Sequence, residues 1–425
     1  GARTVGAMMR PIPSRMLTRN VFEGPDTARA PVAGDVRAAA PPTRRTSASR
    51  FLLLADPDVE WSRRLAMVRE ARCFVHLVTY YVGLDRWAYE LLDALAAAQQ
   101  RGVQVVLGID AFGQRLAGQL LNRAQRAELQ AVLAALGSAV RYYRPPSRLQ
   151  RALGAGQHIK VQISDAGEAL HGSSNISGRS FDPAQWKEVS FSLWGPAAVA
   201  ALDLVAALFP GAVRDDHRAL VAAAAGDRGE VPLEYWWHDP NSVASPLAPV
   251  AAARNPLTQR LKDAIDSATA SIRATSFYFK PCAPLAAAFA RAARRGVRVE
   301  IFHSHRDALV ESALPWMAAA ADYRRWHAAG VTIHESARGE HSKLLLVDGA
   351  ELAIGSYNFE HAAHDRLAEL MVFVRDAQVL RQAGALFDAL RADPDNQVVD
   401  AAAFARVPVS LRARTALLSP LRRWV

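Results

Sequence analysis

His158-Ile159-Lys160, followed by Asp165 and Gly172-Ser173-Ser174-Asn175, and His341-Ser342-Lys343, followed by Asp348 and Gly355-Ser356-Tyr357-Asn358, are the stretches that decide the reading of this chain. Both fit His-x-Lys-x4-Asp-x6-Gly-Ser-x-Asn without a gap. One His-x-Lys carries no information. So many fixed positions recurring in one chain indicate that each copy supplies half of a single site.

The surroundings of the motifs repeat as well. Cys73 to Val82 is a short, almost wholly apolar run and reads as a buried strand. Trp87 to Gln100 has helical spacing (Leu91, Leu92, Leu95) and stops at Gly102. Val103 to Ile109 reads as the next strand, completing a strand–helix–strand crossover. The second block repeats the order: strand Ala270 to Phe279, helix Leu285 to Arg294, Gly296, strand Val297 to Phe302. Arg101-Gly102-Val103 recurs at an offset of 194 as Arg295-Gly296-Val297, Tyr80-Tyr81 aligns with Tyr278-Phe279 at 198, and the motif histidines are offset by 183. Such small drift indicates duplication with short insertions. His158 to Asp165 and His341 to Asp348 alternate as strands do, which would place each His and Lys on one face.

The expected organisation is therefore an extended or disordered arm over 1–50, a first lobe over 51–210, a connection over 211–256, a second lobe over 257–400 and a basic amphipathic segment over 401–425. The arm is rich in Pro, Ala, Arg and Thr. The connection includes an acidic–aromatic patch, Glu234-Tyr235-Trp236-Trp237. In the last segment Arg406, Arg412, Arg414, Arg422 and Arg423 interleave with Leu411, Leu417, Leu418, Leu421 and Trp424, a pattern suited to an anionic membrane surface or to packing on the second block.

The 425 residues suffice for two lobes, each with a core. Formal charge is +10, and only five of the 51 basic residues are lysines: Lys160, Lys187, Lys262, Lys280 and Lys343. Two of the five fall inside the motif, where a compact ammonium suits a phosphate oxygen. The basic excess points to phosphate-rich partners, either nucleic acid or anionic lipid, without choosing between them. Two cysteines form neither a disulfide framework nor a four-ligand zinc site, and Cys73, opening an apolar run, is expected to be buried. No apolar stretch is long enough for a membrane span, and no secretory signal is visible at the N-terminus. A serine-hydrolase reading of Ser173 or Ser356 fails for want of a Gly-x-Ser-x-Gly elbow. The remaining histidines, such as His76, His303 and His305, read as core or surface residues, while His361 and His364 follow the second motif closely enough to reach a substrate.

The doubled motif resembles the phospholipase D superfamily, and with the Tyr-Tyr and Arg-Gly-Val strands it is most similar to the bacterial cardiolipin synthase and phosphatidyltransferase branch, over about residues 51 to 400. The resemblance implies an α/β fold of two similar lobes, each a mixed β-sheet flanked by helices, related by a pseudo-twofold axis with one site between them. It implies no metal, no cofactor and a phosphohistidine intermediate. His158 is then the nucleophile and His341 the acid. Lys160, Lys343, Asn175 and Asn358 bind phosphoryl oxygens, Ser173 and Ser356 brace the motif loops and belong to the substrate-binding set, and Asp165 and Asp348 are structural. In the family a downstream acid orients each histidine, which suggests Glu188, 30 residues after His158, and Glu369, 28 after His341. Members of the branch usually continue Asn-x-Asp-x-Arg-Ser. Here the first copy has Ser177, Arg179 and Ser180, and the second has Glu360, Ala362 and Ala363. The implied partners are phospholipid substrates and an anionic membrane, approached peripherally from the cytoplasmic face of a bacterial inner membrane by a monomer. Hydrolysis to phosphatidate and nuclease or other phosphodiesterase activity are the alternatives.

Two lysines and two amides fit phosphodiester chemistry because they offset the charge that repels a nucleophile, and positioned donors of this kind are commonly the largest catalytic contribution. An alkoxide leaving group needs a proton, and one imidazole cannot be bare for attack and protonated for donation at once, so two are required.

Overall fold

The computed structural model describes residues 45–225, 230–242, 255–309, 312–400 and 409–418, all within one unit. Along the chain come β1 (Thr46–Ala48), β2 (Arg50–Leu54), α1 (Pro57–Glu70), β3 (Phe74–Thr79), α2 (Arg86–Gln100), β4 (Gln104–Asp110), α3 (Ala111–Gly118), α4 (Arg123–Ala135), β5 (Val140–Tyr143), α5 (Arg148–Ala152), β6 (Gly156–Gln157), β7 (Val161–Ser164), β8 (Glu168–Gly172), α6 (Gly178–Phe181), β9 (Ser190–Trp194), α7 (Pro196–Leu208) and α8 (Asp215–Ala225). The second series is β10 (Val231–His238), α9 (Pro256–Ser267), β11 (Ser271–Ser276), α10 (Ala283–Arg294), β12 (Arg298–Ser304), α11 (Leu314–Ala320), α12 (Tyr323–Ala329), β13 (Val331–Ser336), β14 (Leu344–Val347), β15 (Glu351–Gly355), α13 (His361–Asp365), β16 (Leu367–Val374), α14 (Ala377–Ala392), β17 (Asn396–Val398) and α15 (Val409–Leu418).

The first sheet has the order β2-β9-β8-β7-β3-β4-β5, and the second has β10-β16-β15-β14-β11-β12-β13 with β1 and β17 added at its two edges. Strand for strand the orders are the same. In each sheet the first crossover pairs are parallel (β3 with β4, β11 with β12) and the motif strand joins antiparallel (β7 to β3, β14 to β11). The fold is thus α/β, two similar lobes of mixed sheet flanked by helices. Local chemistry sets the elements. Asp85 and Asn255 cap α2 and α9 by accepting from the backbone N–H of Ala88 and Thr258. Gly102 and Gly296 end α2 and α10 at φ of 85° and 87°, a left-handed conformation that glycine adopts without strain.

The core has three parts. One packs α1, α2 and α4 on the outer face of the first sheet, and one packs α9, α10 and α12 on the second. The third is shared: Phe74, Val161 and Phe191 from lobe one meet Leu344, Ile354 and Val372 from lobe two, with α7 and α14 between. Burial of this shared layer fixes the lobes against each other.

Several expectations are revised. Thr46 to Arg50 are not part of an arm: β1 pairs with β10 in one sheet and β2 with β9 in the other. Residues 1–44 lie outside the described residues. The expected connection over 211–256 contains α8 and β10, and β10 is the first strand of the second lobe, pairing with β16 from Leu233 to His238. The motif histidines and lysines precede their strands, which begin at Val161 and Leu344, so they are not adjacent on one strand face. Tyr80 corresponds to Phe277 rather than to Tyr278, because β3 and β11 are offset by 197: Thr79 Oγ1 donates to the carbonyl of Tyr81 as Ser276 Oγ does to that of Tyr278. Cys73 is exposed, since it lies just ahead of β3, whereas Cys282 is buried. α15 packs against α11, with Leu411 on the lobe-two core; the rest of the 401–425 segment, including Arg406, Leu421, Arg422, Arg423 and Trp424, falls outside the described residues.

Candidate active site

Backbone pairing across the lobe boundary builds the site. β6, from lobe one, runs parallel to the start of β16 in lobe two, with Gly156 opposite Leu367 and Gln157 opposite Ala368. The next residue, His158, donates its backbone N–H to the carbonyl of Ala368 at 2.8 Å, which brings its ring beside Glu369. His158 Nδ1 lies 3.1 Å from Glu369 Oε1 and 3.2 Å from the carbonyl of Ser356. The reciprocal arrangement holds the second histidine. Lys187 and Glu340 form a parallel bridge, and His341 N donates to the carbonyl of Lys187 at 2.9 Å. His341 Nδ1 then lies 2.8 and 2.9 Å from the two oxygens of Glu188.

The acids are therefore crossed. Glu188 serves His341 and Glu369 serves His158, contrary to the expectation that each acid orients the histidine upstream in its own copy. The cause is the exchange of strands: the segment before each histidine pairs with the segment before the other lobe's glutamate.

All four motif cations and rings are buried, the histidines at 6% and 5% exposure and the lysines at 1% and 0%. Lys160 Nζ donates to the carbonyl of His158 at 2.7 Å, and Lys343 Nζ donates to that of His341. Burial, then the ammonium groups of both lysines, hold both imidazoles well below their ordinary pKa. His341 also acts on His158. Each lysine acting on both rings places the four groups in one electrostatic neighbourhood. Burial lowers Lys160 strongly and brings Lys343 down to about 8, partly opposed by Glu188 and Glu369. Burial likewise raises Glu188, and raises Glu369 to about 8 against the pull of Lys160. An anion entering this site would relieve the excess of cations and favour the protonated imidazoles.

The other expected residues separate into two groups. Ser356 Oγ donates to Glu369, and Ser180 Oγ donates to Glu188 at 2.7 Å. Ser173 Oγ exchanges hydrogen bonds of 3.1 Å with Val189, next to Glu188. Asn175 Oδ1 accepts from Thr79 Oγ1 at 3.5 Å and Asn358 Oδ1 accepts from the N–H of Phe277 at 3.3 Å, which fixes both amides at the ends of β3 and β11. Asp165 and Asp348 lie at the opposite ends of the motif strands. Asp165 accepts from the N–H groups of Arg72 and Cys73. Asp348 accepts from those of Thr269, Ala270 and Ser271 and from Thr269 Oγ1. His364 is turned into the start of α9, 3.0 Å from Thr258 Oγ1.

Other site residues carry no motif signal. Tyr80 stands edge-on to His158 at 4.9 Å, and Trp186 and Phe277 flank His341 at 4.7 and 5.0 Å. The guanidinium of Arg179 lies over Trp186. Glu360, where lobe one has Ser177, pairs with Lys280 at 3.3 Å. Behind the loops two more carboxyls are buried, Asp110 on the Gln157 N–H and Glu340 on Ser342, each raised by burial to about 7. The repeat alignment contained the one available signal: Asp110 and Glu340 have Ser304 and Gln157 as counterparts, so the two copies place their second acid differently.

The family model for the phospholipase D-like domain of cardiolipin synthase matches residues 65–204 and 261–391, one stretch in each lobe. This chain belongs to the phospholipase D superfamily, in its cardiolipin synthase branch. Among curated members, cardiolipin synthase B of Escherichia coli (strain K12) and that of Shigella flexneri are each 26% identical over 341 residues, 77% of this chain and 77% of theirs. The superfamily fold is shared with the phosphatidylserine synthase of Haemophilus influenzae, at a TM-score of 0.69 and 14% identity over 90% of this chain and 96% of that one. It is shared also with the polyphosphate kinase of Porphyromonas gingivalis, at 0.51 and 12% over 86% and 56%. The motif residues of this family member are thus those of two intact half-sites, assembled with crossed acids.

Proposed function

We propose that the protein is a phospholipid phosphatidyltransferase of the cardiolipin synthase type, working as a monomer through a phosphoenzyme on His158. The observation that carries the reading is the pair of imidazoles, each held at Nδ1 by the other lobe's carboxylate and both under the influence of Lys160 and Lys343. With Nδ1 engaged, Nε2 of each ring is left for chemistry. In the first step His158 Nε2 bonds to phosphorus, the bond to the leaving alcohol's oxygen breaks, and His341 Nε2 gives that oxygen its proton. In the second, His341 takes the proton of an incoming hydroxyl, the new P–O bond forms and the P–N bond breaks. A lipid hydroxyl as acceptor gives transfer, and water gives phosphatidate. Lys160, Lys343, Asn175 and Asn358 are assigned to the non-bridging oxygens, whose charge they offset throughout. The curated relatives favour a phospholipid over a nucleic acid. Peripheral attachment at the cytoplasmic face of a bacterial inner membrane is part of this proposal; among the described residues no helix is long and apolar enough to cross a membrane.

The test incubates purified protein with phosphatidylglycerol, phosphatidylethanolamine and single-stranded DNA in parallel, with chelator present. Cardiolipin or another phosphatidyl-transfer product, abolished by His158→Asn and His341→Asn, is expected. Cleavage of DNA alone, or activity lost to the chelator, would overturn the proposal.

A further inference from the structure

The duplication supplies an internal control for surface charge. In each lobe, one segment runs from the carboxyl end of the second parallel strand to the motif, through two helices and the third parallel strand. In lobe two this is residues 305–339, with four arginines (Arg306, Arg324, Arg325, Arg338) and four acids (Asp307, Glu311, Asp322, Glu335). In lobe one it is residues 111–155, with seven arginines and one acid, Glu128, which accepts from Tyr89. A shared scaffold has thus become strongly basic on one side of the site only.

The excess gathers beside the catalytic rings. α3 leaves the carboxyl end of β4, and its Gly113 abuts Tyr80, the ring that contacts His158. α5 leads directly into β6 and His158. Gly154, just after α5, lies against Phe112 of α3, so the two helices border the same edge of the sheet. On this rim Arg115, Arg144 and Arg148 are exposed and form no ion pair among the described residues. The same segments expose Leu116, Leu120, Tyr142 and Leu149, at 47%, 52%, 42% and 43%. Guanidinium groups without carboxylate partners, two of them resting on aromatic rings, together with exposed leucines suit a surface that is both anionic and apolar just beneath. Of the large apolar side chains exposed here three are leucines and one, Tyr142 beneath Arg144, is aromatic, a composition nearer to that of a bilayer-facing surface than to a nucleic-acid groove, where stacking aromatics predominate.

We propose that this lobe-one rim, formed by α3 and the segment through α5, docks on an anionic lipid bilayer and sets the catalytic mouth against it. The inference rests on the phospholipid reading for its purpose, but not for its measurement. Binding brings the phosphodiester of a bilayer lipid to His158 from the lobe-one side, and the lobe-two counterpart, with as many acids as arginines, makes the weaker contact.

The experiment measures co-sedimentation of the full chain with phosphatidylglycerol and with phosphatidylcholine vesicles. The variants are R115E/R144E/R148E, L116S/L120S/L149S and, as a control of equal charge change, R306E/R324E/R325E. Each arginine near such a surface is worth about fivefold in binding, so the lobe-one triple should lose about 100-fold or more on phosphatidylglycerol and the lobe-two triple much less. The serine triple should weaken binding with a smaller dependence on salt. Turnover of a monomeric short-chain phosphatidylglycerol should persist in the lobe-one triple while turnover in vesicles falls. If wild type turns over neither lipid, the functional reading fails and the sedimentation result still decides the rim. Equal losses in the two charge variants, unchanged binding, or tighter binding of single-stranded DNA at the same residues would overturn the proposal. Should the charge triple fail to fold, R148E alone and a salt titration of wild type give the same decision.

Discussion

Replacing Glu188 by Gln keeps the shape and hydrogen-bonding reach of the side chain but removes its charge, and the crossed geometry dictates which half of the reaction suffers. The carboxylate holds His341 Nδ1 at 2.8 and 2.9 Å, with both groups buried. A hydrogen bond to a charged partner is worth about 1.5–3 kcal/mol, or roughly 10- to 150-fold in rate if it is made mainly in the transition state. The bare Coulomb attraction, about 4 kcal/mol at 4 Å for an effective dielectric near 20, is an upper bound. Burial raises Glu188 itself, which offsets part of that attraction, so the lower range is the one to expect.

The assay is single-turnover cleavage of two phosphodiesters, one leaving as an aliphatic alcohol and one as p-nitrophenolate. General-acid help is worth about 10²–10⁴ only where the leaving group needs a proton. Glu188→Gln should therefore slow the alkyl substrate by roughly 10- to 150-fold and barely affect the nitrophenyl one. Glu369→Gln should slow both alike, because under the proposed roles Glu369 holds the ring that attacks, His158. A same-lobe pairing would reverse this: Glu188→Gln would then show the defect that is blind to the leaving group. That reversal, or identical profiles for the two variants, would refute the reasoning.

Burial brings Lys343 from 10.5 to about 8, so its ammonium is present below that pH and lost above it. kcat/KM should fall as pH rises through about 8, and Lys343→Arg should extend the plateau; a wild-type plateau persisting past pH 10 would count against the assignment. Asp348→Ala removes the acceptor of three backbone N–H groups at a position with φ of 51°. It should cost about 1–3 kcal/mol in urea unfolding and leave kcat per folded molecule intact; a loss of turnover at unchanged stability would place Asp348 in the chemistry instead. Trp186→Ala uncovers His341 and should raise the ratio of phosphatidate to transfer product, measured by quantifying both lipids; an unchanged ratio would show that Trp186 does not exclude water.

Sequence reading succeeded where the signal is local. The spacing of Leu91, Leu92 and Leu95 and the stop at Gly102 describe α2, and the doubled motif singles out side chains that share one electrostatic neighbourhood. It failed where distant backbone decides. No local pattern reports that Gly156 and Gln157 pair with Leu367 and Ala368, or Lys187 with Glu340, and those two pairings cross the glutamates. The Tyr80 alignment slipped by one because ring similarity outweighed the shared hydroxyls of Thr79 and Ser276, which hold the equivalent turns. β10 is masked in the sequence because Glu234-Tyr235-Trp236-Trp237 reads as an acidic–aromatic patch. The alternation of buried Leu233 and Tyr235 with their less buried neighbours is the period-two mark of a strand.

Near-symmetry poses a problem for any two-histidine mechanism, since identical surroundings would give the rings identical basicity. The surroundings here are not identical. His158 Nδ1 faces one oxygen of Glu369 and, at 3.2 Å, the carbonyl of Ser356. Two acceptors around one nitrogen keep the proton on Nδ1 and the lone pair on Nε2, the form that attacks phosphorus. His341 Nδ1 meets both oxygens of Glu188, without a carbonyl. A carboxylate engaged in this way stabilises an imidazolium once a bound phosphate has offset the lysines, and an imidazolium is the form that protonates an alkoxide. The same contacts that cross between the lobes thus also distinguish them, and they support attack by His158 and proton donation by His341 rather than the reverse.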